Sequence, residues 1–200
     1  MNGMALKYKD HFEKSYAEHG ESVAALDLHV DSQQQRFEVL CQIGDLARKN
    51  ILDVGCGFGD LYKFLCEKNI SISKYLGVDI SERFTRIARK RYPLIPFYCG
   101  DILDFQPPIG IDYSLASGIF QLEDSQWEKY FLIACRKLLN VSRLGIGFNL
   151  LSVNEASRGN PDDRFSSPWE ILKLVMAELS GRVVLRHDYR DNDFTIYIYK

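Results

Sequence analysis

The chain has 200 residues, which is the size of one domain, and its formal net charge at pH 7 is −2. Its 46% hydrophobic and 26% charged residues exclude a disordered protein, and the slight negative charge disfavours nucleic-acid binding, because nucleic-acid binders need a basic surface. No apolar run reaches the roughly 18 residues of a membrane span and residues 1–10 do not resemble a secretory signal, so we expect a cytoplasmic protein outside the membrane.

The N-terminal part of the chain is polar, and we interpret residues 1–30 as irregular. We expect residues 1–32 to form a lid-like segment of a single domain, beside a core of residues 33–200. Residues 31–49 carry apolar side chains on one side of a helical pattern, which predicts the first helix.

Short apolar runs then alternate with helical patterns, which predicts a parallel β-sheet covered by helices. Strands are expected at residues 51–54, 75–80, 96–101, 111–116 and 144–151. Helices are expected after Gly59, after Ser81 as N-cap, over residues 127–138, and from Pro168.

Two features mark the last part of the chain. Residues 152–167 form the longest segment there without periodicity, and we interpret it as a second candidate lid. The apolar runs at residues 182–189 and 194–199 are separated by a short polar stretch, so they are expected to pair as an antiparallel hairpin.

The strand at residues 51–54 leads into three closely spaced glycines, Gly55, Gly57 and Gly59. Glycine leaves room for a ligand near the backbone, because it has no Cβ and permits positive φ. Asp79 follows about 20 residues later, at the end of the next predicted strand, where a carboxylate can accept ribose hydroxyls. Asp60 replaces the third glycine of the dinucleotide fingerprint, and its charge would repel a pyrophosphate. The pattern therefore favours a nucleoside ligand with a positive group over a nicotinamide dinucleotide.

Several motifs resemble those of class I S-adenosylmethionine-dependent methyltransferases. Residues 52–59 (LDVGCGFG) resemble the first motif of that family, and residues 77–81 (GVDIS) its second-strand motif. Residues 99–102 are similar to its adenine-binding turn and residues 112–117 to its fourth strand. The resemblance implies a Rossmann-like α/β fold with a seven-stranded, mostly parallel sheet, an antiparallel final strand and helices on both faces. It also implies S-adenosyl-L-methionine as the cofactor.

The resemblance also implies roles for individual residues. The glycine turn would lie under the methionine part of the cofactor, Asp79 would bind the ribose, and Asp101 would accept a hydrogen bond from the adenine amino group. Arg36 is a candidate for binding the cofactor carboxylate or an acidic substrate; the alternative is a solvated position on its helix. The predicted cofactor contacts are Asp53, Gly55, Gly57, Gly59, Asp79, Ile80, Asp101, Ile102, Ser117 and Arg36.

No residue stands out as a general base. A sulfonium methyl group is already activated, so positioning of the acceptor is expected to do most of the work. The candidates for catalysis or acceptor contact are His29, Ser117 and Asn149; Asn149 has the alternative role of capping a strand end. The 5 cysteines form no Cys-x-x-Cys pair, and we expect reduced, mostly buried thiols. No acidic cluster suggests a Mg²⁺ site, so no metal is expected.

We therefore expect a methyltransferase that acts on a small molecule. The residues after the fourth strand, Ser117 to Gln121, lack the (Asp/Asn)-Pro-Pro-(Tyr/Phe) motif of methyltransferases that act on DNA bases. The basic run between Arg83 and Arg91 is expected on a solvent face, which also disfavours a nucleic-acid partner. The alternative function is a catalytically silent domain that binds the cofactor as a sensor or scaffold. The sequence predicts neither the acceptor nor the oligomeric state.

Overall fold

The computed structural model describes residues 3–26, 30–153 and 162–200. The strands are β1 (Asn50–Val54), β2 (Lys74–Asp79), β3 (Phe97–Cys99), β4 (Ile111–Ala116), β5 (Ser142–Ser152), β6 (Phe165–Ser166), β7 (Val183–Arg186) and β8 (Asp193–Tyr199). The α-helices are α1 (Gly3–His19), α2 (Val30–Leu40), α3 (Asp60–Glu67), α4 (Glu82–Arg91), α5 (Trp127–Val141) and α6 (Pro168–Glu178). Two short 3₁₀ helices are Val23–Leu26 and Cys41–Ile43.

All strands belong to one sheet, in the order β3-β2-β1-β4-β5-β8-β7, with β6 paired to the end of β5. Strands β1 to β5 pair in parallel, and β8 runs antiparallel between β5 and β7. The expected mostly parallel sheet with a closing antiparallel hairpin is therefore confirmed. The short strand β6 is an addition that the sequence pattern did not predict.

The central strands are buried on both faces, as parallel strands covered by helices are. Leu52 and Val54 of β1 point into one large apolar cluster, whereas Ile51 belongs to a second cluster on the other face. The second cluster also contains Phe37 of α2 and Phe64 of α3. This two-sided burial explains why the strands appear in the sequence as short, almost continuous apolar runs.

The N-terminal segment is helical, so the expectation that residues 1–30 are irregular is wrong. Met4 and Tyr8 on α1 are buried, and Phe12 packs against the same core cluster. Their spacing of four residues places them on one face of a helix. Helix α2 ends at Leu40, before the predicted end at residue 49, and continues as a 3₁₀ turn.

Three other details differ from the sequence-based expectations. The penultimate strand is short, since β7 covers only Val183–Arg186 of the predicted residues 182–189. The predicted lid at residues 152–167 contains β6, and its residues 154–161 lie outside the described residues. All five cysteines are free, but only Cys56 and Cys135 are buried, so the expectation of mostly buried thiols is wrong. In the described ranges, no helix combines the length and apolar character needed to cross a bilayer.

A buried ion pair connects α2 to the start of β8. Arg36, which is 5% exposed, donates from Nε to both carboxylate oxygens of Asp193 at 3.0 Å, and its Nη2 lies 2.8 Å from Oδ1. Asp193 is 1% exposed and also lies 3.3 Å from Nε of Arg190. The sequence left two alternatives for Arg36, a solvated position and a contact with a ligand. The structure shows neither, because Arg36 is buried and pairs with Asp193.

We predict that Asp193→Ala lowers the free energy of unfolding by about 3 to 5 kcal/mol, because it leaves the Arg36 guanidinium buried without its counter-charge. The double variant Arg36→Met/Asp193→Leu should recover most of that loss, since it removes both charges. Urea unfolding followed by circular dichroism measures the effect. Glu67→Gln, which breaks the exposed pair with Lys63, is the control and should change little. An unfolding midpoint of Asp193→Ala equal to that of the wild type would contradict the prediction.

Candidate functional site

A cavity of about 920 Å³, including its open mouth, lies at the carboxyl ends of β1 to β4 and beneath helices α1 and α2. The sheet register creates this edge: Val54 at the end of β1 is level with Val78 of β2 and Ala116 of β4. The predicted site residues that line the cavity are Asp53, Gly55, Asp79, Ile80, Asp101, Ile102 and Ser117. Ligands of open α/β sheets bind at this edge.

The glycine turn after β1 needs glycine at each of its three positions. Gly55, Gly57 and Gly59 have φ angles of 71°, 51° and 83°, in the left-handed region that disfavours side chains. A Cβ atom on Gly55 would lie 2.2 Å from Cγ2 of Ile119, which is too close. Gly55 lines the cavity directly, whereas Gly57 and Gly59 shape the turn and lead into α3.

Asp79 at the end of β2 is fixed by backbone amides. Its Oδ2 accepts a hydrogen bond from the Gly57 N–H at 2.9 Å, and its Oδ1 accepts one from the Ser81 N–H at 2.8 Å. Burial raises the pKa of this carboxyl to about 6, and the amide donors oppose that rise. Each oxygen retains a lone pair after these bonds. Asp79 can therefore accept two further hydrogen bonds from a ligand while it stabilises the glycine turn.

Two more carboxyl groups lie at the glycine turn. Asp53 accepts a hydrogen bond from the Tyr75 hydroxyl, and burial raises the pKa of Asp53 to about 7, with Asp79 and Asp60 adding to the rise. Asp60, at the first position of α3, accepts from Gln33 Nε2 at 3.5 Å and lies 3.6 Å from Nη1 of Arg91. Burial also raises the pKa of Asp60, and Arg91 lowers it.

Asp101, which follows β3, is another carboxylate of the cavity lining. It accepts a hydrogen bond from the Leu103 N–H at 3.0 Å, and the apolar residues Ile80, Ile102 and Phe84 also line the cavity. An apolar lining with a few polar groups suits an aromatic base. The adenine-binding roles that the sequence resemblance implied for Asp101 and the two isoleucines stay predictions.

Four residues of the cavity lining are absent from the predicted cofactor contacts, although the first two lie in the segment that was expected to be lid-like. Tyr8 and Phe12 of α1, Gln33 of α2 and Tyr130 of α5 all line the cavity. Tyr8 also accepts a hydrogen bond from the Leu122 N–H at 3.2 Å, which attaches α1 to the loop after β4. The signal for α1 was present in the four-residue spacing of Met4, Tyr8, Phe12 and Tyr16.

The lining of the cavity is acidic. Four carboxyl groups line it, and the lining residues within the described ranges include no lysine, arginine or histidine. Such a site favours a ligand that carries positive charge. Among described residues, no group of three or more histidine, cysteine or carboxylate side chains is arranged to hold a metal ion. The four carboxyl groups belong to Asp53, Asp60, Asp79 and Asp101.

The remaining predicted site residues lie elsewhere or have other roles. Asn149 is 3% exposed and does not line the cavity; it accepts from the Gly118 N–H at 3.0 Å and donates to Ser117 Oγ at 3.2 Å. Direct contact between Asn149 and an acceptor is therefore not supported, because both ends of its amide bind the turn after β4. Arg36 also lies outside the lining and pairs with Asp193. His29 lies outside the described residues.

We predict that Asp53 makes stability depend on pH. Its pKa is raised from 3.8 to about 7 in the folded state, so as pH rises the carboxyl ionises first in the unfolded chain. The contribution of Asp53 to the free energy of unfolding is therefore greatest below about pH 4 and is lost as pH rises to about 7. The loss is at most about 4 kcal/mol, because one pKa unit of the shift corresponds to about 1.4 kcal/mol. Urea unfolding from pH 4.5 to 8 should show the wild type losing stability relative to Asp53→Asn. A difference between the two that stays constant with pH would contradict this, and Asp104→Asn is the surface control.

Comparisons with known proteins agree with this geometry. Residues 51–140 match the family described as "Methyltransferase domain". A Mycobacterium tuberculosis protein named as a methyltransferase is 32% identical over 159 residues, which are 76% of this chain and 93% of that protein. Trans-aconitate 2-methyltransferase of Acidovorax ebreus is 34% identical over 99 residues, which are 48% of this chain and only 38% of that enzyme.

Solved structures show the same fold at low sequence identity. Magnesium protoporphyrin IX methyltransferase of Synechocystis PCC 6803 with bound S-adenosylhomocysteine has a TM-score of 0.69 and 13% identity, covering 98% of this chain and 99% of that chain. Phosphoethanolamine N-methyltransferase 1 of Haemonchus contortus, in complex with phosphoethanolamine and S-adenosylhomocysteine, has a TM-score of 0.68 and 15% identity, covering 100% of this chain and 50% of that chain. With the sequence relative of nearly full length, these findings show that the chain belongs to the class I S-adenosylmethionine-dependent methyltransferases.

Proposed function

We propose that this chain transfers the methyl group of S-adenosyl-L-methionine to a small-molecule acceptor. The observation that carries the proposal is the acidic cavity at the strand ends, in which Asp79 is fixed beside the glycine turn. Helix α1 covers the cavity, and we propose that residues 1–32 act as a lid over a core of residues 33–200. A covered cavity of this size suits a small acceptor better than a polymer. The acceptor named for the Acidovorax ebreus relative, trans-aconitate, is also a small molecule, although that match spans 38% of the enzyme.

The order of the strands supports a placement for the cofactor. Asp101 follows β3, Asp79 ends β2, Gly55 follows β1 and Ser117 follows β4, and these four strands are consecutive neighbours in the sheet. Since neighbouring strands are about 4.8 Å apart, the four residues form a row across the edge of the sheet. We propose adenine near Asp101, ribose at Asp79, and the amino-acid end of the cofactor beyond Gly55, toward Ser117.

The charge of the cavity fits this cofactor. S-adenosylmethionine supplies a methyl group on a positively charged sulfur, and it also carries an ammonium group. Asp53 and Asp60, at the glycine turn, offer negative charge to these positive groups in a buried environment where the attraction is strong. The sequence indicates that Asp60 would repel a pyrophosphate but not an ammonium group, and this proposal is consistent with that difference.

Positioning is the main catalytic contribution that we propose for this chain. The described lining contains no histidine or lysine that would serve as a base, and burial raises the pKa of the Cys56 thiol well above its usual value, which keeps it protonated. Tyr8 and Phe12 of α1 line the cavity, and we propose that this helix limits the access of water to the bound cofactor. Holding the reacting atoms in line can lower a barrier by about 7 to 11 kcal/mol.

The described lining contains no histidine or lysine that would serve as a base, and this leaves a second candidate function, a domain that binds the cofactor without transferring its methyl group. The two functions differ in one measurement. Incubation with S-adenosylmethionine labelled in the methyl group and a panel of small metabolites, including trans-aconitate, should give S-adenosylhomocysteine and a labelled product if the chain is a transferase. Binding of the cofactor without product from any member of the panel would favour the silent domain.

We predict that Asp79→Ala weakens binding of S-adenosylmethionine by about 10- to 100-fold, because hydrogen bonds to a charged group contribute about 1.5 to 3 kcal/mol. Isothermal titration of the purified protein measures the change, after removal of any copurified ligand. Asp104→Ala, at an exposed position near the cavity, is the control and should bind as the wild type does. The variant Asp79→Asn keeps an oxygen that can accept from the Gly57 N–H, so the glycine turn should stay intact. Comparison of this variant with Asp79→Ala therefore separates the loss of the ligand contact from a disturbance of the turn. If folded Asp79→Ala bound S-adenosylmethionine with unchanged affinity, the proposed contact between Asp79 and the ribose would be wrong.

A further inference from the structure

The amide of Asn149 is held between two groups of the turn that follows β4. Its Oδ1 accepts a hydrogen bond from the Gly118 N–H at 3.0 Å, and its Nδ2 lies 3.2 Å from Ser117 Oγ. Asn149 belongs to β5, whose neighbour on this side is β4, so the contact connects two adjacent strands. Gly118 itself has a φ of 76°, which gives this turn a conformation that other residues rarely adopt.

The chemistry of the turn determines which end of the amide faces which partner. A backbone N–H can only donate, so the amide atom that faces Gly118 is the oxygen. The NH₂ group of Asn149 therefore faces Ser117, where the hydroxyl oxygen accepts its hydrogen. The Ser117 hydroxyl has one hydrogen of its own. That hydrogen does not point at the NH₂ group of Asn149, because this group is itself a donor. Ser117 must consequently donate that hydrogen in another direction.

Ser117 is one of the residues that line the cavity, so the cavity is the open direction in which its hydroxyl can donate. Ala116 is level with Val54, so Ser117 lies beside Gly55, on the side away from Asp79. In the proposed placement this is the amino-acid end of the cofactor. The carboxylate is the strongest hydrogen-bond acceptor at that end, and the described lining provides no cation to pair with it.

We infer that Asn149 is a positioning residue that sets the polarity of Ser117, so that the Ser117 hydroxyl donates a hydrogen bond to the carboxylate of the bound cofactor. This inference rests on the proposed cofactor placement. Asn149 acts only through Ser117 and does not itself touch the ligand. The substitution Asn149→Asp reverses the polarity, because the new carboxylate still accepts from the Gly118 N–H but offers Ser117 an acceptor in place of a donor.

A double-mutant cycle with S-adenosylhomocysteine as the ligand tests the inference without knowledge of the acceptor. The four proteins are the wild type, Ser117→Ala, Asn149→Asp and the double variant, and isothermal titration gives the dissociation constants. Ser117→Ala and Asn149→Asp should each weaken binding by about 10-fold, within the range for hydrogen bonds to charged groups. In the Ser117→Ala background, Asn149→Asp should have much less effect. The negative charge that Asn149→Asp adds is present in both backgrounds, so it cancels in the comparison.

Two controls separate this role from a structural one. Asn140→Asp adds the same charge at an exposed position of α5 and should leave affinity unchanged. The probe 5′-methylthioadenosine lacks the amino-acid end, so its affinity should be the same in the wild type and in Ser117→Ala. If Asn149→Asp does not fold, the two probes measured on Ser117→Ala still decide whether the hydroxyl contacts the amino-acid end.

Three results would overturn the inference. The first is unchanged affinity of Ser117→Ala for S-adenosylhomocysteine, which would mean that the hydroxyl donates to the methyl acceptor or to water. The second is an equal effect of Asn149→Asp in both backgrounds, and the third is an equal loss for 5′-methylthioadenosine. A wild-type protein that binds neither probe would instead refute the proposed cofactor site on which the inference rests.

Discussion

The in-register pairing of β1 with β2 and β4 is the constraint on which the site depends. Because Val54, Val78 and Ala116 are level, the chain leaves the three strands at the same edge, and the residues that follow are brought together. The hydrogen bond from the Gly57 N–H to Asp79 then fixes the glycine turn of β1 to the end of β2. A slip of one residue in either pairing would reverse the side chains and remove this edge.

The same arrangement concentrates negative charge where water is scarce. Asp79 is the last residue of β2 and Asp53 the penultimate residue of the adjacent β1. Burial raises the pKa of Asp53 to about 7 and that of Asp79 to about 6. A structure selected only for stability would avoid such groups, since a buried carboxylate without a counter-charge is destabilising. Their presence is understandable if a positively charged ligand occupies the cavity and provides the missing charge. The acidic lining thus connects the energetics of the folded chain to the identity of its cofactor.

Much of the fold and part of the site could be predicted from sequence, because the signals were local. The strand before Gly55 and the spacing to Asp79 predicted the edge of the sheet at which the cavity lies, and the two final apolar runs predicted the hairpin. Helix α1 was not predicted, because its apolar residues form only a narrow stripe and the residues between Tyr8 and Phe12 are polar. The partner of Arg36 could not be predicted, since Asp193 is far away in sequence and only the folded sheet brings them together. The role of Asn149 likewise depends on strand pairing that no local pattern reveals.

The loop after β4 brings these elements together, because separate parts of the chain hold it from different sides. Asn149 binds it from β5, the Tyr8 hydroxyl of α1 accepts from the Leu122 N–H, and the Arg164 N–H donates to the Gln121 carbonyl at 2.7 Å. The contact with α1 lies beyond the turn that contains Ser117, whereas the contact with Asn149 lies within it. If α1 acts as the proposed lid, its movement would break the contact with Leu122 and leave the contact between Asn149 and the turn intact. The proposed lid and the proposed ligand contact of Ser117 therefore depend on separate hydrogen bonds.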